Sequence, residues 1–330
     1  MHTGLYEPTL PTDRGELSAA TLAYLRRASG SLPPAGDAER GDPYGDDLQL
    51  ALYLCYELHY RGFAGVDDEM EWDAALLGFR RALEDRFLAA LRDDAPLPAD
   101  VDSALAALLV EPVQGDGISY HLRDDGTLWQ VREYAAQRSL YHLKEADPHA
   151  WVLPRLHGRA KAGMAAVEYD EFGAGRGERV HARLFADLMR DLSLDSGYGR
   201  YLDASCPQML AVANLMSLLG LHRRLRGALV GHFAAVEITS SPNCRRLAQA
   251  MERLGAGPAA EHFYREHVEA DAVHEQVVRH EVVAGLLEAE PQLAADVAFG
   301  IAATGLVEDR FTEHLLGSWR AERSSLRHAL

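Results

Sequence analysis

Apolar side chains recur at helical spacing along most of this 330-residue chain. In residues 46–61, for example, Leu48, Leu52 and Cys55 fall four and three positions apart, which places them on one face of a helix. The same pattern predicts helices near residues 17–29, 46–61, 72–92, 100–109, 133–146, 148–157, 159–172, 177–193, 205–235, 243–254, 257–288, 291–303 and 306–327. The sequence therefore predicts an all-α protein.

Two stretches depart from this helical pattern. Residues 1–45 are rich in Pro, Gly and Asp and are expected to form an arm with one short helix. Residues 118–131 hold two short apolar segments on either side of Asp125-Gly126, a dipeptide typical of hairpin turns, so we expect a small β-hairpin there. We divide the chain at this point, into a helical N-terminal extension or cap over residues 1–125 and a helical core over residues 126–330.

Prolines predict where several helices begin or end. Asp147 precedes Pro148, an arrangement that sets an N-cap acceptor before a proline in the first helical position. Pro242 and Pro291 are expected to separate helices in the same way, because proline lacks the N–H group that a helix interior requires. These boundaries divide the second half of the chain into a series of successive helices.

The charge balance narrows the classes of partner. The net charge is −17, with 50 acidic against 33 basic residues, and this argues against nucleic acid or an anionic membrane because both attract clustered Lys and Arg. The apolar runs are also too short for a membrane span. Cys55, Cys206 and Cys244 are widely spaced, and no secretory signal follows Met1. We therefore expect a cytoplasmic protein.

Glu178 and His181 form the first candidate metal-binding pair. They lie three residues apart, so both would project from one face of a helix. Glu-x-x-His is a recurring ligand pair in helical bundles that hold two carboxylate-bridged metal ions. Glu171 lies about 20° from Glu178 around the same helix axis, although three intervening glycines predict a kink. Glu168, one turn earlier, is the alternative to Glu171.

A second candidate group lies on one later helix. His267, Asp271 and His274 are spaced at i, i+4 and i+7, which places the second and third about 40° and about −20° from the first around the axis. Two imidazoles and a carboxylate on one stripe are the side chains by which a helix binds iron or manganese in a bundle interior. A polar stripe that faces solvent is the alternative explanation of the same spacing.

Together with Glu145, these side chains resemble the ligand pattern of the haem-oxygenase-like di-iron oxidases and oxygenases: Glu145, Glu171, Glu178, His181, His267, Asp271 and His274. The segments around them, Lys-Glu-Ala-Asp-Pro-His, Tyr-Asp-Glu-Phe-Gly-x-Gly and Val-His-x-x-Leu-Phe, are similar to the bacterial iron-containing redox enzyme branch of that superfamily. The resemblance covers residues 130–290. It alone assigns Glu145, which by itself is an ordinary carboxylate at a helix end.

The resemblance implies a bundle like that of haem oxygenase, without the haem, in which core helices hold two iron ions that react with O2. It implies a non-haem di-iron oxygenase, and we expect N-oxygenation of a small amine-bearing substrate in a biosynthetic pathway. Desaturation or C–C cleavage of an amino acid or a fatty acid is the alternative reaction, and an external electron donor is a further candidate partner. A helical metal-binding or storage protein without turnover is the alternative from another class.

For four histidines and for the N-terminal region, the sequence supports only less specific expectations. His149, near Glu145, is a candidate for orienting a metal ligand. His222, His232 and His262 are expected at the surface or at helix ends. Residues 1–125 form either a cap over the substrate pocket or a dimerisation element, and a homodimer is expected in the second case.

Overall fold

Helices account for the regular structure of the residues that the structure describes, which are 7–27 and 31–330. The computed structural model has fifteen α-helices in these ranges: α1 Glu16–Leu25, α2 Ala35–Arg40, α3 Asp46–Glu57, α4 Ala74–Asp94, α5 Val101–Leu108, α6 Ile118–Asp124, α7 Leu128–His142, α8 Asp147–Ala150, α9 Gly158–Glu171, α10 His181–Asp191, α11 Pro207–Leu221, α12 Arg226–Leu254, α13 Pro258–Val277, α14 Ala284–Ala289 and α15 Ala294–Arg320. A π-helical turn, Val278–Val283, joins α13 to α14. No β-strand occurs in the described ranges, so the all-α prediction is confirmed.

Helix α12 is the centre of the bundle. It packs most extensively against α13 and α15, and α10 packs in turn against α13. Two glycines let α12 and α15 approach closely. A Cβ atom on Gly231 would overlap the carbonyl oxygen of Val297, and one on Gly300 would overlap the carbonyl oxygen of Ala228. The distance between these two helices therefore depends on both glycines.

The N-terminal helices pack directly on this bundle. Helix α3 contacts α11, α4 contacts α15, and α1 contacts α3. Buried apolar side chains from Leu17 to Trp319 form one hydrophobic cluster. Residues before and after position 125 thus share a core, while the division of the chain into two parts at that position stays a prediction.

The predicted hairpin over residues 118–131 is wrong, because both segments are helical. Helix α6 ends at Asp124, and the Gly126 N–H donates to the His121 carbonyl oxygen at 2.7 Å. Thr127 and Gln130 then form a capping box that begins α7. An Asp-Gly pair ends a helix as readily as it turns a hairpin, and the capping box is the sequence feature that distinguishes the two cases.

Pro242 does not end a helix, contrary to the prediction. Helix α12 continues through it from Arg226 to Leu254, although proline in a helix interior costs about 3 kcal/mol. Ile238 and Leu247, on either side of the proline, are buried in the core. Burial of this helix against α13 and α15 therefore outweighs the local cost. A helix does begin beside Pro148, but Asp147 is its first residue and Ala146 its N-cap, so the predicted Asp147 cap is wrong, and this helix ends at Ala150 instead of residue 157.

Other helix boundaries also differ from the prediction. The helix predicted over residues 205–235 is interrupted by a 3-10 turn at Arg223–Leu225. The helices predicted over residues 291–303 and 306–327 are one helix, α15, which follows the boundary predicted at Pro291. A continuous apolar pattern on α15 explains why no interruption is needed there.

Parts of two predictions lie outside the described residues. These are the absence of a signal after Met1 and the final residues of the helix predicted over 17–29. Among the helices of the described ranges, none is both long and apolar enough to cross a membrane.

Replacing Gly300 with Ala is expected to destabilise the chain by about 3 kcal/mol, because the new Cβ would force α12 and α15 apart. The matched control is Gly305→Ala on the same helix, where a Cβ meets nothing within 4 Å. The control should leave stability unchanged or raise it by about 1 kcal/mol. Denaturant unfolding measures both effects, and equal unfolding midpoints would contradict the close-approach explanation.

Candidate metal centre

Seven buried side chains form two adjacent groups inside the bundle. In each group the candidate ligand atoms all lie within 4.8 Å of one another: Glu145, Glu171, His181 and His267 form the first group, and Glu171, Glu237, Asp271 and His274 form the second. Glu171 belongs to both groups. The side chains are between 1% and 7% exposed, so the pocket is closed to bulk water.

Five segments of the chain contribute these side chains. Glu145 lies in the turn between α7 and α8, Glu171 is the last residue of α9, and His181 is the first residue of α10. Glu237 lies in the middle of α12. Helix α13 supplies the remaining three from a single stripe, and all three are buried, as the sequence spacing predicted.

In the first group, an imidazole is fixed with one nitrogen facing the pocket. The Nδ1–H group of His267 donates to the Phe263 carbonyl oxygen at 2.7 Å, which leaves Nε2 with its lone pair towards the pocket. This Nε2 lies 3.9 Å from Glu145 Oε2. His181 Nδ1 lies 2.7 Å from Glu171 Oε2. The group thus presents two imidazoles and two carboxylates to a common point.

In the second group, His274 lies among three carboxylates. Its Nδ1 atom is 3.1 Å from Glu237 Oε2 and 3.5 Å from both Glu171 Oε1 and Asp271 Oδ1. Its Nε2 atom is 3.4 Å from Asp170 Oδ2, outside the group. The two oxygens of Glu171 therefore face different groups, Oε2 towards the first and Oε1 towards the second.

Several buried polar atoms in these groups lack a hydrogen-bond partner among the described residues. They are Glu145 Oε2, His181 Nδ1, His267 Nε2 and Asp271 Oδ2. The 2.7 Å contact between His181 Nδ1 and Glu171 Oε2 does not have hydrogen-bond geometry. Each unsatisfied buried polar atom costs about 1–3 kcal/mol, and a cation bound between them would remove that cost. Carboxylates and imidazoles suit iron or manganese, and the pocket has no thiolate that would favour a softer metal. The residues present therefore fit a metal centre.

Burial and mutual repulsion change the ionisation of the pocket. Burial, followed by repulsion from Glu145, raises the pKa of Glu171 to about 8. Burial likewise raises the pKa of Glu237 to about 8. Burial alone would lower the pKa of His274, but hydrogen bonds to Asp271 and Glu237 outweigh it and raise this pKa to about 11. Without a cation, the pocket therefore retains protons at neutral pH.

Glu168 is a further buried carboxyl group, one helical turn before Glu171. It is 2% exposed, and neither of its oxygens has a hydrogen-bond partner among the described residues. Burial, and then repulsion from Glu171, raises its pKa to about 9. Glu168 belongs to neither ligand group. Its raised pKa favours the protonated form at pH 7 in the metal-free chain.

Of the predicted ligands, Glu178 alone lies outside both groups. It is exposed, in a 3-10 turn over Gly177–Arg179, whereas α10 begins only at His181. The expectation that Glu178 and His181 share a helix face is therefore wrong. Gly173 and Gly175 have φ angles of 74° and 78°, a left-handed conformation that ends α9 instead of merely kinking it.

Glu237 is a member of the second group that the sequence analysis missed. Its neighbours Val236 and Ile238 are apolar, and it lies in the predominantly apolar segment that packs into the core. A single carboxylate in such a segment must be paired, protonated or bound to a metal. A single carboxylate in an apolar segment was the signal that the sequence offered for Glu237. No second candidate ligand stands at helical spacing from it.

His149 lines the same pocket and begins a chain of buried hydrogen bonds. Its Nε2 lies 3.1 Å from Nε2 of His232, whose Nδ1 lies 2.8 Å from Thr304 Oγ1. Thr304 Oγ1 donates to the Gly300 carbonyl oxygen, so His232 donates to Thr304 and accepts from His149. The surface position expected for His232 is wrong, since it is 1% exposed.

A groove of about 410 Å³ lies beside the second group. Its walls include aliphatic and basic side chains, and Asp271 is one of its lining residues: Leu108, Val110, Ile238, Arg245, Arg246 and Asp271. The cavity inside the pocket itself is only about 20 Å³, room for little more than one water molecule. The groove is thus the larger space that reaches a candidate ligand.

The bundle and its buried carboxylate–imidazole pocket define a helical protein built to bind metal. The chain matches the family described as iron-containing redox enzyme over residues 132–309, more than half of its length. It therefore belongs to that family, within the haem-oxygenase-like superfamily, and the resemblance noted from the sequence is confirmed. Both ligand groups lie inside the matched segment. No curated protein matches the chain.

Metal binding is expected to strengthen as the pH rises from about 6.5 to about 8.5, because below their raised pKa values Glu171 and Glu237 hold protons that a cation must displace. Anaerobic Fe(II) titration calorimetry in buffers with different ionisation enthalpies measures both affinity and proton release. We expect proton release at pH 7 and less of it in Glu237→Gln. Binding that is independent of pH and releases no protons would contradict this description of the pocket.

Proposed function

We propose that this chain is a non-haem redox enzyme that holds two iron ions and uses O2 to oxidise a small molecule. The observation that carries the proposal is the division of Glu171 between two ligand groups, with Oε2 at 2.7 Å from His181 and Oε1 at 3.5 Å from His274. A glutamate that faces both positions is the arrangement by which helical bundles bridge a pair of ions.

Each position has its own terminal ligands in this proposal. Glu145, His181 and His267 would hold one ion, while Glu237, Asp271 and His274 would hold the other. Two bound ferrous ions would supply two electrons for O2 activation, and an external electron donor would reduce the iron again before the next turnover. The surrounding chain excludes water, and the buried Glu168 carboxyl group lies one helical turn from Glu171.

The first candidate reaction is N-oxygenation of a small amine, and the resemblance to the family's ligand pattern supports it. The groove beside Asp271 would be its route to the centre, since this groove reaches a ligand of the second position. The aliphatic walls formed by Leu108, Val110 and Ile238 favour a second candidate, desaturation or C–C cleavage of an amino acid or fatty acid. Substrate-dependent O2 uptake with amines and with aliphatic acids separates the two. A storage protein would show neither.

Anaerobic loading with Fe(II) is expected to give about two iron ions per chain, and His274→Ala should reduce this by at least one. Admission of O2 should then produce a transient visible absorption and O2 consumption. Metal analysis, absorption spectroscopy and an oxygen electrode provide the measurements. Loading near zero, or loading unaffected by His274→Ala, would rule out the proposed centre.

Glu237→Gln and Glu178→Gln form a matched pair of variants. They test whether the metal ligand is the glutamate indicated by the pocket geometry or the one indicated by the sequence pattern. Glu237 is buried beside His274, whereas Glu178 is exposed. We expect Glu237→Gln to weaken iron binding at one position about 10–100-fold and Glu178→Gln to leave it unchanged. The reverse result in metal titrations would show that Glu178, as predicted from the sequence, is the ligand.

A further inference from the structure

A buried ion pair joins the N-terminal region to the turn that carries Glu145. The Nζ atom of Lys144 lies 2.9 Å from Oε2 of Glu57, the last residue of α3. Their side chains are 2% and 0% exposed. Such a pair persists in a low-dielectric interior only when further contacts satisfy both charges.

Three tyrosines provide those contacts. The Tyr198 hydroxyl donates to Glu57 Oε1 at 2.6 Å, so both oxygens of this carboxylate are engaged. The Lys144 ammonium lies 4.3 Å from the ring centroid of Tyr60 and 4.9 Å from that of Tyr53, within the range of cation–π attraction. Lys144 is therefore held from several directions.

A second contact fixes the backbone of the same turn. The Arg61 guanidinium donates to the Leu143 carbonyl oxygen at 2.9 Å and lies 4.0 Å above the Tyr198 ring. Residues 143–146 lie between α7 and α8 and belong to neither helix. Backbone hydrogen bonds hold this turn locally, from Lys144 N–H to the Tyr141 carbonyl oxygen at 2.8 Å and from Asp147 N–H to the Lys144 carbonyl oxygen at 2.9 Å. The contacts with the end of α3 and the residues after it add a connection from outside the turn.

The Glu145 side chain depends on this backbone. Its Oε1 lies 2.9 Å from His142 Nδ1, while Oε2 has no hydrogen-bond partner among the described residues and lies 3.9 Å from His267 Nε2. Movement of Lys144 would move the adjacent Glu145 and change where Oε2 points. Displacing a ligand in this way is expected to weaken metal binding.

We propose that Lys144, Glu57 and Arg61 are positioning residues that fix Glu145 for the first of the two metal positions. This inference rests on the proposed two-iron function. It assigns the segment from α3 to Arg61 a role within the metal centre, namely to hold one ligand of one position. The second position, formed around Asp271 and His274, does not include Glu145 and should not depend on these contacts.

The test is a double variant, Glu57→Gln with Lys144→Met, which removes both buried charges together. A single substitution would leave one charge buried and unpaired, and it would lower stability for that reason alone. In the double variant, glutamine still accepts the Tyr198 hydroxyl. Anaerobic titration with Fe(II) and with Co(II), followed by spectroscopy, measures each binding step, and thermal unfolding of the metal-free chain measures stability.

We expect the double variant to lose about 10–100-fold in affinity for one ion, with the other ion bound as in the unchanged protein. The matched control is Arg138→Met with Glu308→Gln. Arg138 and Glu308 form a bidentate ion pair between α7 and α15, at 2.8 and 2.6 Å. The control pair holds no ligand turn, so both ions should bind normally in it.

The outcomes separate this inference from the proposed function. Two ions bound equally tightly by the double variant and the unchanged protein would overturn the positioning role and leave the two-iron proposal intact. No iron bound by the unchanged protein would overturn both. If the double variant does not fold, Arg61→Met provides the decision: selective weakening of one ion supports the positioning role, and unchanged binding of both ions overturns it.

Discussion

The burial of several carboxylates in one pocket is the constraint on which the centre of this molecule depends. Glu145, Glu171, Glu237 and Asp271 lie in one closed pocket, and four negative charges at such distances in a low-dielectric interior are not stable together. In the metal-free chain, burial and after it repulsion from neighbouring carboxylates raise the pKa values of Glu171 and Glu237 to about 8, so both groups retain protons at neutral pH. A bound cation would neutralise the same charge without protons. Burial of these groups therefore has a cost, which the metal-free chain lowers by protonation and which a bound cation would lower by pairing with the carboxylates.

The two ligand groups are held by different means. In the second group, Glu237 lies in the middle of α12, and Asp271 and His274 lie within α13. Their backbones are fixed by helical hydrogen bonds and by the extensive packing of α12 against α13 and α15. In the first group, by contrast, only His267 lies within a helix, while Glu171 and His181 lie at helix ends and Glu145 lies in a turn. Positions of that kind need contacts from outside their own element, and the buried Lys144–Glu57 pair is such a contact.

This difference also explains how much of the site could be predicted from the sequence. The α13 stripe was found from spacing alone, because helical geometry determines which residues share a face. Glu178 was selected by the same rule, but the rule does not apply where glycines in the left-handed conformation end the helix. Glu237 comes from a separate helix with no second ligand nearby in sequence, so only tertiary packing brings it to the pocket. The hairpin and Pro242 predictions were wrong for a related reason: capping and burial outweighed the local preference.

The N-terminal helices illustrate the same dependence on tertiary structure. Nothing in the spacing of Glu57 or Lys144 relates one to the other, since 87 positions separate them. The pair forms because α3 packs on α11 and brings its last residue to the turn after α7. Burying two charges is unfavourable unless each is fully satisfied, and here three tyrosines supply the additional contacts. An apolar pair would fill the same space at lower desolvation cost, but it would not fix the orientation of the turn. A hydrogen-bonded pair does fix the orientation of Lys144. The Glu145 carboxylate at the adjacent position requires such a fixed orientation.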